Sequence, residues 1–519
     1  MCWTKYSKIM VLTASICIMI LSACAFGDSD ADSDAEDYFY EQEEYPDAYD
    51  DQDNPEDNDQ EAVEDESSQM GEATQDALQE LYYTYEDIKR KAANDPLRQS
   101  EVTPHKENGL DVCSITMNDH TMRYTLDVMG EPDEDGLYPL YIALHGGGGG
   151  DAETNDEQWM QMRNYYRDNV EDGIYVATRG MEDVWNLHFL DYSYAMYDRL
   201  IEDMIYLKNA DPNRVYLLGF SAGGDGVYAI APRMADRFAA VNMSSGHPNG
   251  VSLLNVSNLP FEIQVGIRDF YTEEAIRSIR GAEFEKTLND YREQFGCEYP
   301  HRVLVHVPDG HNYNDYLNEN YDSNAVLSDP QQFAERAVDE DWVDRFLDLY
   351  DSMGYGRDVM DMSYNSPPDF EDRLTDLVTN DLNMKVDRDG NTNAVEYVNG
   401  FTRKPAPHAF VWDLSTRAPK RSVNSFYWLK ADQSVNEGVV YAVYDEESNT
   451  VYIEYIDEPN GNITILANPL MMDFDRPLTV VTEKGQRTVD LTVDKNITVE
   501  SIHETADPYL SWVCEIPVD

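Results

Sequence analysis

From residue 138 onward the chain passes repeatedly through short, unbroken apolar runs: Tyr138–Leu144, Gly173–Thr178, Val215–Leu218, Ala239–Ser244, Phe261–Val265 and Val303–Val307. Runs of this length, bounded by turn residues, read as strands covered on both faces. Between two of them, Leu190–Lys208 places its apolar residues three and four apart, the spacing of an amphipathic helix. Leu78, Leu81, Tyr82, Tyr85 and Ile88 predict another helix over residues 77–90. Met122–Val128 alternates instead and predicts an antiparallel edge strand. Strands alternating with helices predict an α/β fold with a doubly wound, mostly parallel sheet. Past Tyr316 the pattern changes. Pro330–Met353 and Pro368–Leu382 read as acidic helices, and from His408 short strands separated by turns such as Asp445–Asn449, Glu458–Gly461 and Glu483–Gly485 predict an all-β, sandwich-like domain.

At 519 residues the chain exceeds one ordinary domain. Its formal net charge of -63 argues against a nucleic-acid partner and against close approach to bare anionic lipid. Lys5 and Lys8 precede an apolar stretch, Ile9–Leu21, of signal-peptide length, and Leu21-Ser22-Ala23-Cys24 resembles the lipobox of bacterial lipoproteins. The expectation is a signal peptide over 1–23 and a lipidated Cys24 that anchors the protein to the outer side of a bacterial cell membrane. Residues 24–75 are dominated by acidic, low-complexity sequence and read as a self-repelling disordered stalk. The remainder divides into a catalytic domain over 76–316, an acidic helical insertion over 317–392 and a β-rich domain over 393–519. Beyond the leader, Cys113, Cys297 and Cys514 permit one disulfide and one free thiol. No Cys-x-x-Cys spacing points to zinc.

Two glycine motifs, each at the end of an apolar run, carry the chemistry. Gly219-Phe220-Ser221-Ala222-Gly223 has the Gly-x-Ser-x-Gly form of a nucleophile elbow, whose sharp turn requires small neighbours. Leu144-His145 is followed by the run Gly146–Gly150, a source of backbone N–H groups for a developing oxyanion. A serine nucleophile needs a base and an acid that orients it, in the chain order Ser, acid, His. Asp269, after the Phe261 strand, and His311, after the Val303 strand, meet that order with Ser221. The oxyanion donors are Ala222 with Gly147 or Gly148. Trp185, Asn186, His188 and His247 are expected in the substrate pocket wall. The plainer readings assign His306 to the core, His145 to fixing its own loop and Asp225 to bracing the elbow; Asp309 is an alternative orienting acid in a less typical place. No metal or cofactor is needed.

Asp211–Tyr228 around Ser221, Ala231–Ala240, Gly246–Asn249, Arg179-Gly180, Trp185–Phe189 and Phe401–Pro407 resemble the bacterial α/β-hydrolase serine esterases grouped with polyhydroxybutyrate depolymerases and dienelactone hydrolases. The resemblance covers about residues 110–315 and resumes near Ala394. It implies hydrolysis of carboxylic esters through an acyl-serine, with Ser221, Asp269 and His311 as the triad. The segment 317–392 departs from the family pattern, as a lid or as a surface decoration. Asp387–Glu396 has the look of a calcium loop, but Lys385 stands at its first ligand position, which favours a plain turn. The expected substrate is an ester, with acylated polysaccharide as one class. A polyester depolymerase, a serine peptidase, or a surface glycan- or partner-binding lipoprotein with an inactive hydrolase scaffold are the alternatives.

Overall fold

The computed structural model describes residues 70–267, 269, 277–307, 309–311, 326–339, 348, 351–352, 384–387, 393–418 and 420–518. The leader, Cys24, nearly all of the acidic stalk, most of the 317–392 insertion and the centre of the calcium-like loop lie outside them. Eleven strands form the principal sheet, in the order β1-β2-β3-β5-β4-β6-β7-β8-β9-β10-β11. They are β1 (His105–Glu107), β2 (Leu110–Met117), β3 (His120–Met129), β4 (Tyr138–Leu144), β5 (Gly173–Thr178), β6 (Ala210–Phe220), β7 (Ala240–Ser244), β8 (Phe261–Gly266), β9 (His301–His306), β10 (Val326–Leu327) and β11 (Val386–Asp387). The block β5-β4-β6-β7-β8-β9 is parallel throughout. Its strands are the unbroken apolar runs of the sequence, and β4, β5, β7 and β8 are buried along almost their whole length.

β3 corrects one expectation, because it is no edge: β2 pairs with one side and β5 with the other, both antiparallel. The cause is the two-residue turn Asn118-Asp119, both at positive φ, which folds β2 back as a hairpin. The chain moves from β4 to β5 on one side and then returns to β6 on the other. That reversal opens a crevice at the carboxyl ends of β4 and β6, where ligands of doubly wound sheets bind. Helices α1 (Glu72–Ala92), α2 (Pro96–Glu101), α3 (Ala152–Tyr165), α4 (Ser193–Lys208), α5 (Ala222–Ile230) and α6 (Arg277–Phe295) accompany the sheet.

Beyond the sheet lie α7 (Pro330–Asp339) and α8 (Ala394–Asn399). The C-terminal part holds a five-stranded sheet, β12 (Ala409–Asp413), β15 (Val439–Asp445), β16 (Thr450–Asp457), β18 (Leu478–Thr482) and β19 (Gly485–Val489), and a four-stranded one, β13 (Ser425–Phe426), β14 (Leu429–Ala431), β17 (Ile463–Ala467) and β20 (Cys514–Pro517). It is not all-β, since α9 (Lys495–Thr505) lies within it. Its core runs into that of the parallel sheet, and buried charged groups join the two: Arg421 grips Asp198 of α4 at 2.6 and 2.9 Å, and Arg403, paired with Asp507 at 2.6 Å, donates to the Asp236 carbonyl at 3.0 Å. Gly71 supplies no side-chain cap for α1. Asp475 does so instead, accepting from the Ala73 and Thr74 N–H groups at 2.9 and 3.1 Å. Cys113, Cys297 and Cys514 are buried free thiols, so no disulfide joins them. Among the described residues no helix is long and apolar enough to cross a membrane.

Candidate active site

β6 runs straight into Ser221, whose backbone sits at φ 57° and ψ -118°, a strained conformation for a residue with a side chain. α5 starts at the next residue, so the first N–H groups of the helix open beside the serine hydroxyl. The turn is tight enough to dictate its neighbours. A Cβ on Gly223 would stand 2.0 Å from the Leu144 carbonyl oxygen at the end of β4. This is the physical content of the Gly-x-Ser-x-Gly pattern here: the elbow and the glycine run are pressed together.

The structure brings Ser221, His311 and Asp269 into one line. Ser221 Oγ lies 2.9 Å from His311 Nε2, and His311 Nδ1 lies 3.0 and 2.9 Å from Asp269 Oδ1 and Oδ2. A carboxylate only accepts, so Nδ1 carries the proton and Nε2 is left to accept from the serine hydroxyl. Asp269 is buried, which alone would raise its pKa. The pairing with His311 and the charge of Arg277 outweigh burial and hold the carboxyl below its ordinary value. Arg277, the first residue of α6, donates to Asp269 Oδ1 at 3.0 Å. The sequence reading missed it, because an arginine opening a helix has no signal of its own until the acid it faces is known. His311 is further held by its backbone oxygen, which accepts from Ser245 Oγ at 3.0 Å.

The glycine run lies along Ser221 and Ala222. A Cβ on Gly146 would come within 3.3 Å of Ser221 Cβ, and one on Gly148 within 3.5 Å of Ala222 Cβ. Gly147 lies between them at φ 104°, which only glycine adopts readily. The Gly148 candidate is corrected: its N–H is already engaged, donating to Asn155 Oδ1 at 3.0 Å. Gly147 therefore remains, with Ala222, as the oxyanion-donor candidate. Asn155 was also missed; it stands one turn into α3 and its partners are set by the loop, not by spacing.

The Trp185 backbone lies beside the glycine run; the residue is more than half exposed (56%) and its ring stands edge-on to Phe189. Asn186 is half-buried next to it. His188 is corrected. It is fully buried, its Nε2–H donates to the His145 carbonyl at 2.9 Å, and burial lowers its pKa to about 4, so it is no accessible pocket wall. His247 is half-buried; its backbone N–H donates to Asp225, which also takes Asn249 Nδ2, so Asp225 braces this rim. His145 accepts from Gly180 N–H at 2.9 Å through Nε2 while its Nδ1 faces the Gly146 carbonyl. His306 is buried in β9 with Nε2 against Gln264 Oε1. A cavity of about 630 Å³, lined by residues such as Cys297, Lys404, His408 and Tyr509, shares no residue with this site.

No family model matches the chain. No curated protein matches it either. Solved structures similar to it include a thermostable esterase (18% identity over 37% of this chain and 53% of that one, TM-score 0.29), Est1E from Butyrivibrio proteoclasticus (14%, 39% and 92%, TM-score 0.28) and a poly(3-hydroxybutyrate) depolymerase from Bordetella parapertussis (15%, 48% and 93%, TM-score 0.32). The chain thus spans only 53% of the first of these proteins. The neighbours are esterases and hydrolases at remote likeness, and the chemistry of the site rests on its own geometry.

Proposed function

We propose that this chain is a serine carboxylesterase. The observation that carries the proposal is the unbroken hydrogen-bonded line from Ser221 Oγ through His311 to the buried Asp269. In the proposed reaction Ser221 Oγ attacks the ester carbonyl carbon as its proton passes to His311 Nε2. Asp269 stabilises the imidazolium and stays ionised. The carbonyl oxygen, now negative, accepts from the Ala222 N–H at the start of α5 and from the Gly147 N–H of the glycine run. Collapse expels the alcohol, which takes the proton from His311. Water then repeats the sequence on the acyl-serine with His311 as base.

Trp185, exposed and with its backbone bordering the glycine run, supports a substrate with a flat ring or sugar face, consistent with acyl groups on polysaccharide. The Leu21–Cys24 sequence supports a lipid-anchored, extracytoplasmic enzyme, with 24–75 as its spacer, 76–316 as the catalytic part, 317–392 inserted and 393–519 appended. The test is labelling by a fluorophosphonate together with hydrolysis of a short-acyl p-nitrophenyl ester. Both are expected of the wild type and neither of Ser221→Ala; equal rates for the two proteins reject the esterase.

A further inference from the structure

Asn155 is an asparagine where a helix gains nothing from one, and it is completely buried. Its side chain closes a ring with a single residue of the glycine run. Oδ1 accepts from Gly148 N–H at 3.0 Å and Nδ2 donates to Gly148 O at 3.1 Å. Nδ2 also donates to Asp183 Oδ1 at 2.9 Å and approaches Gly150 O at 3.4 Å. The amide has one orientation only, since the Gly148 N–H can only donate and the Asp183 carboxylate can only accept. Asp183 is itself fixed by Arg179, whose Nη2 reaches Oδ1 at 2.5 Å. The nearly buried Arg179 is tied in turn to Asp156 at 2.7 Å and to the Gly180 carbonyl at 2.7 Å. Asn155 also lies flush against Gly147: a Cβ there would meet Asn155 Oδ1 at 2.4 Å.

A run of five glycines has the largest conformational freedom of any peptide of its length. An oxyanion donor must nevertheless be aimed before the charge develops. We infer that Asn155, held by Asp183 and Arg179, is a positioning residue that ties down both the N–H and the C=O of Gly148, fixing the 147–148 and 148–149 peptides, and so aims the adjoining Gly147 N–H at the oxyanion. This rests on the proposed esterase reading for its consequence in turnover, but not for its consequence in loop order.

The experiment therefore has two readouts. Hydrogen exchange of peptides covering 146–150 needs no turnover. Asn155→Ala is expected to speed exchange there by about tenfold or more, from the loss of buried hydrogen bonds, while β6 is unchanged. Unaltered exchange at 146–150 overturns the inference whether or not the protein is an esterase. In turnover of a p-nitrophenyl ester, Asn155→Ala lowers kcat about 100-fold with KM nearly constant, and a trifluoromethyl ketone analogue of the tetrahedral species loses affinity by a similar factor. Asn155→Asp keeps the acceptor for Gly148 N–H, so it tests the same point should the alanine variant fold poorly; it sets a carboxylate against Asp183 and falls comparably. Adding Asp183→Asn restores the amide–carboxylate contact with the donor reversed, and is expected to regain about tenfold. A kcat within about threefold of wild type, or a loss that inhibitor affinity does not follow, overturns the inference. A wild type no faster than Ser221→Ala rejects the esterase reading instead and leaves the exchange result to decide on Asn155.

Discussion

Replacing Asp269 by asparagine keeps shape and volume, so its effect follows from where hydrogens must go. The carboxylate now accepts from Arg277 at Oδ1 and faces His311 Nδ1 with Oδ2 at 2.9 Å. In Asp269→Asn the guanidinium still needs an acceptor, so the amide oxygen stays on the Arg277 side and Nδ2 turns to His311. Nδ1 must then accept, its proton moves to Nε2, and the imidazole presents a donor to Ser221 where an acceptor is needed. Loss of the buried charge removes the support for the imidazolium as well. A wrong tautomer of this kind costs kcat about 10⁴-fold, near 5 kcal/mol of transition-state stabilisation. The assay is steady-state hydrolysis of a short-acyl p-nitrophenyl ester, with fluorophosphonate labelling rate as a second measure. Adding Arg277→Met frees the amide to flip, restores the proton to Nδ1, and should make the double variant faster than Asp269→Asn alone. A double variant no faster than the single one, or a single variant within about 100-fold of wild type, would show that the Asp269 carboxylate does not set the His311 tautomer.

Three further outcomes follow from other parts of the molecule. Gly223→Ala should lose the native elbow, with destabilisation of about 3 kcal/mol or more in denaturant melts, because the new methyl meets backbone at 2.0 Å rather than a movable side chain; a stable, fully active variant would contradict the close approach. Glu262, buried on β8 beside Arg302, is pushed up to about 7 by burial, with Arg302 only partly restoring it. Its folded pKa lies above the unfolded one, so its contribution to stability is full below about pH 4.5 and disappears as pH rises through 7, a swing of about 3 kcal/mol; Glu262→Gln should flatten the Tm-against-pH curve over that window, and parallel curves would show the carboxyl is not the source. Arg421→Ala leaves Asp198 buried without its bidentate partner and should cost about 3–5 kcal/mol in unfolding free energy while kcat holds in the folded fraction; an unchanged melt would mean that water or Arg237 takes over the carboxylate.

Much of the site was legible because its elements are local. The nucleophile elbow, the glycine run and the strands that end in them are each contiguous, and sheet topology determines which loops meet. The order Ser221, Asp269, His311 could be read for the same reason: each residue follows a strand, and a parallel sheet gathers such positions at one edge. What escaped was set by contacts that no spacing encodes. Arg277 matters through an acid on another loop, and Asn155 through the loop it faces. His188 shared a short motif with Trp185, yet one ring is exposed and the other sealed beneath Gly226, a difference decided by which way the loop turns. β3 was misread as an edge because the Asn118-Asp119 turn, not hydrophobic alternation, adds β2 beyond it. The substrate-facing wall is the least legible part, since selectivity depends on loop surfaces rather than on patterned elements.

The cap that Asp475 places on α1 also bears on the order in which the protein can be made. The helix is the first described element of the chain, yet the carboxylate that satisfies its opening amides lies 401 and 402 positions downstream, and α9, which packs on it, follows later still. Closing a chain segment of that length carries an entropic cost of about 5 kcal/mol, recovered only once both partners are present. During synthesis Tyr85 can already meet Tyr206 of α4, with ring centroids 6.3 Å apart, while the side of α1 that packs on α9 waits for the C-terminal part. The Asp475 cap and the α9 contact therefore complete α1 after the parallel sheet, and a product truncated before Asp475 keeps the contact with α4 but lacks both.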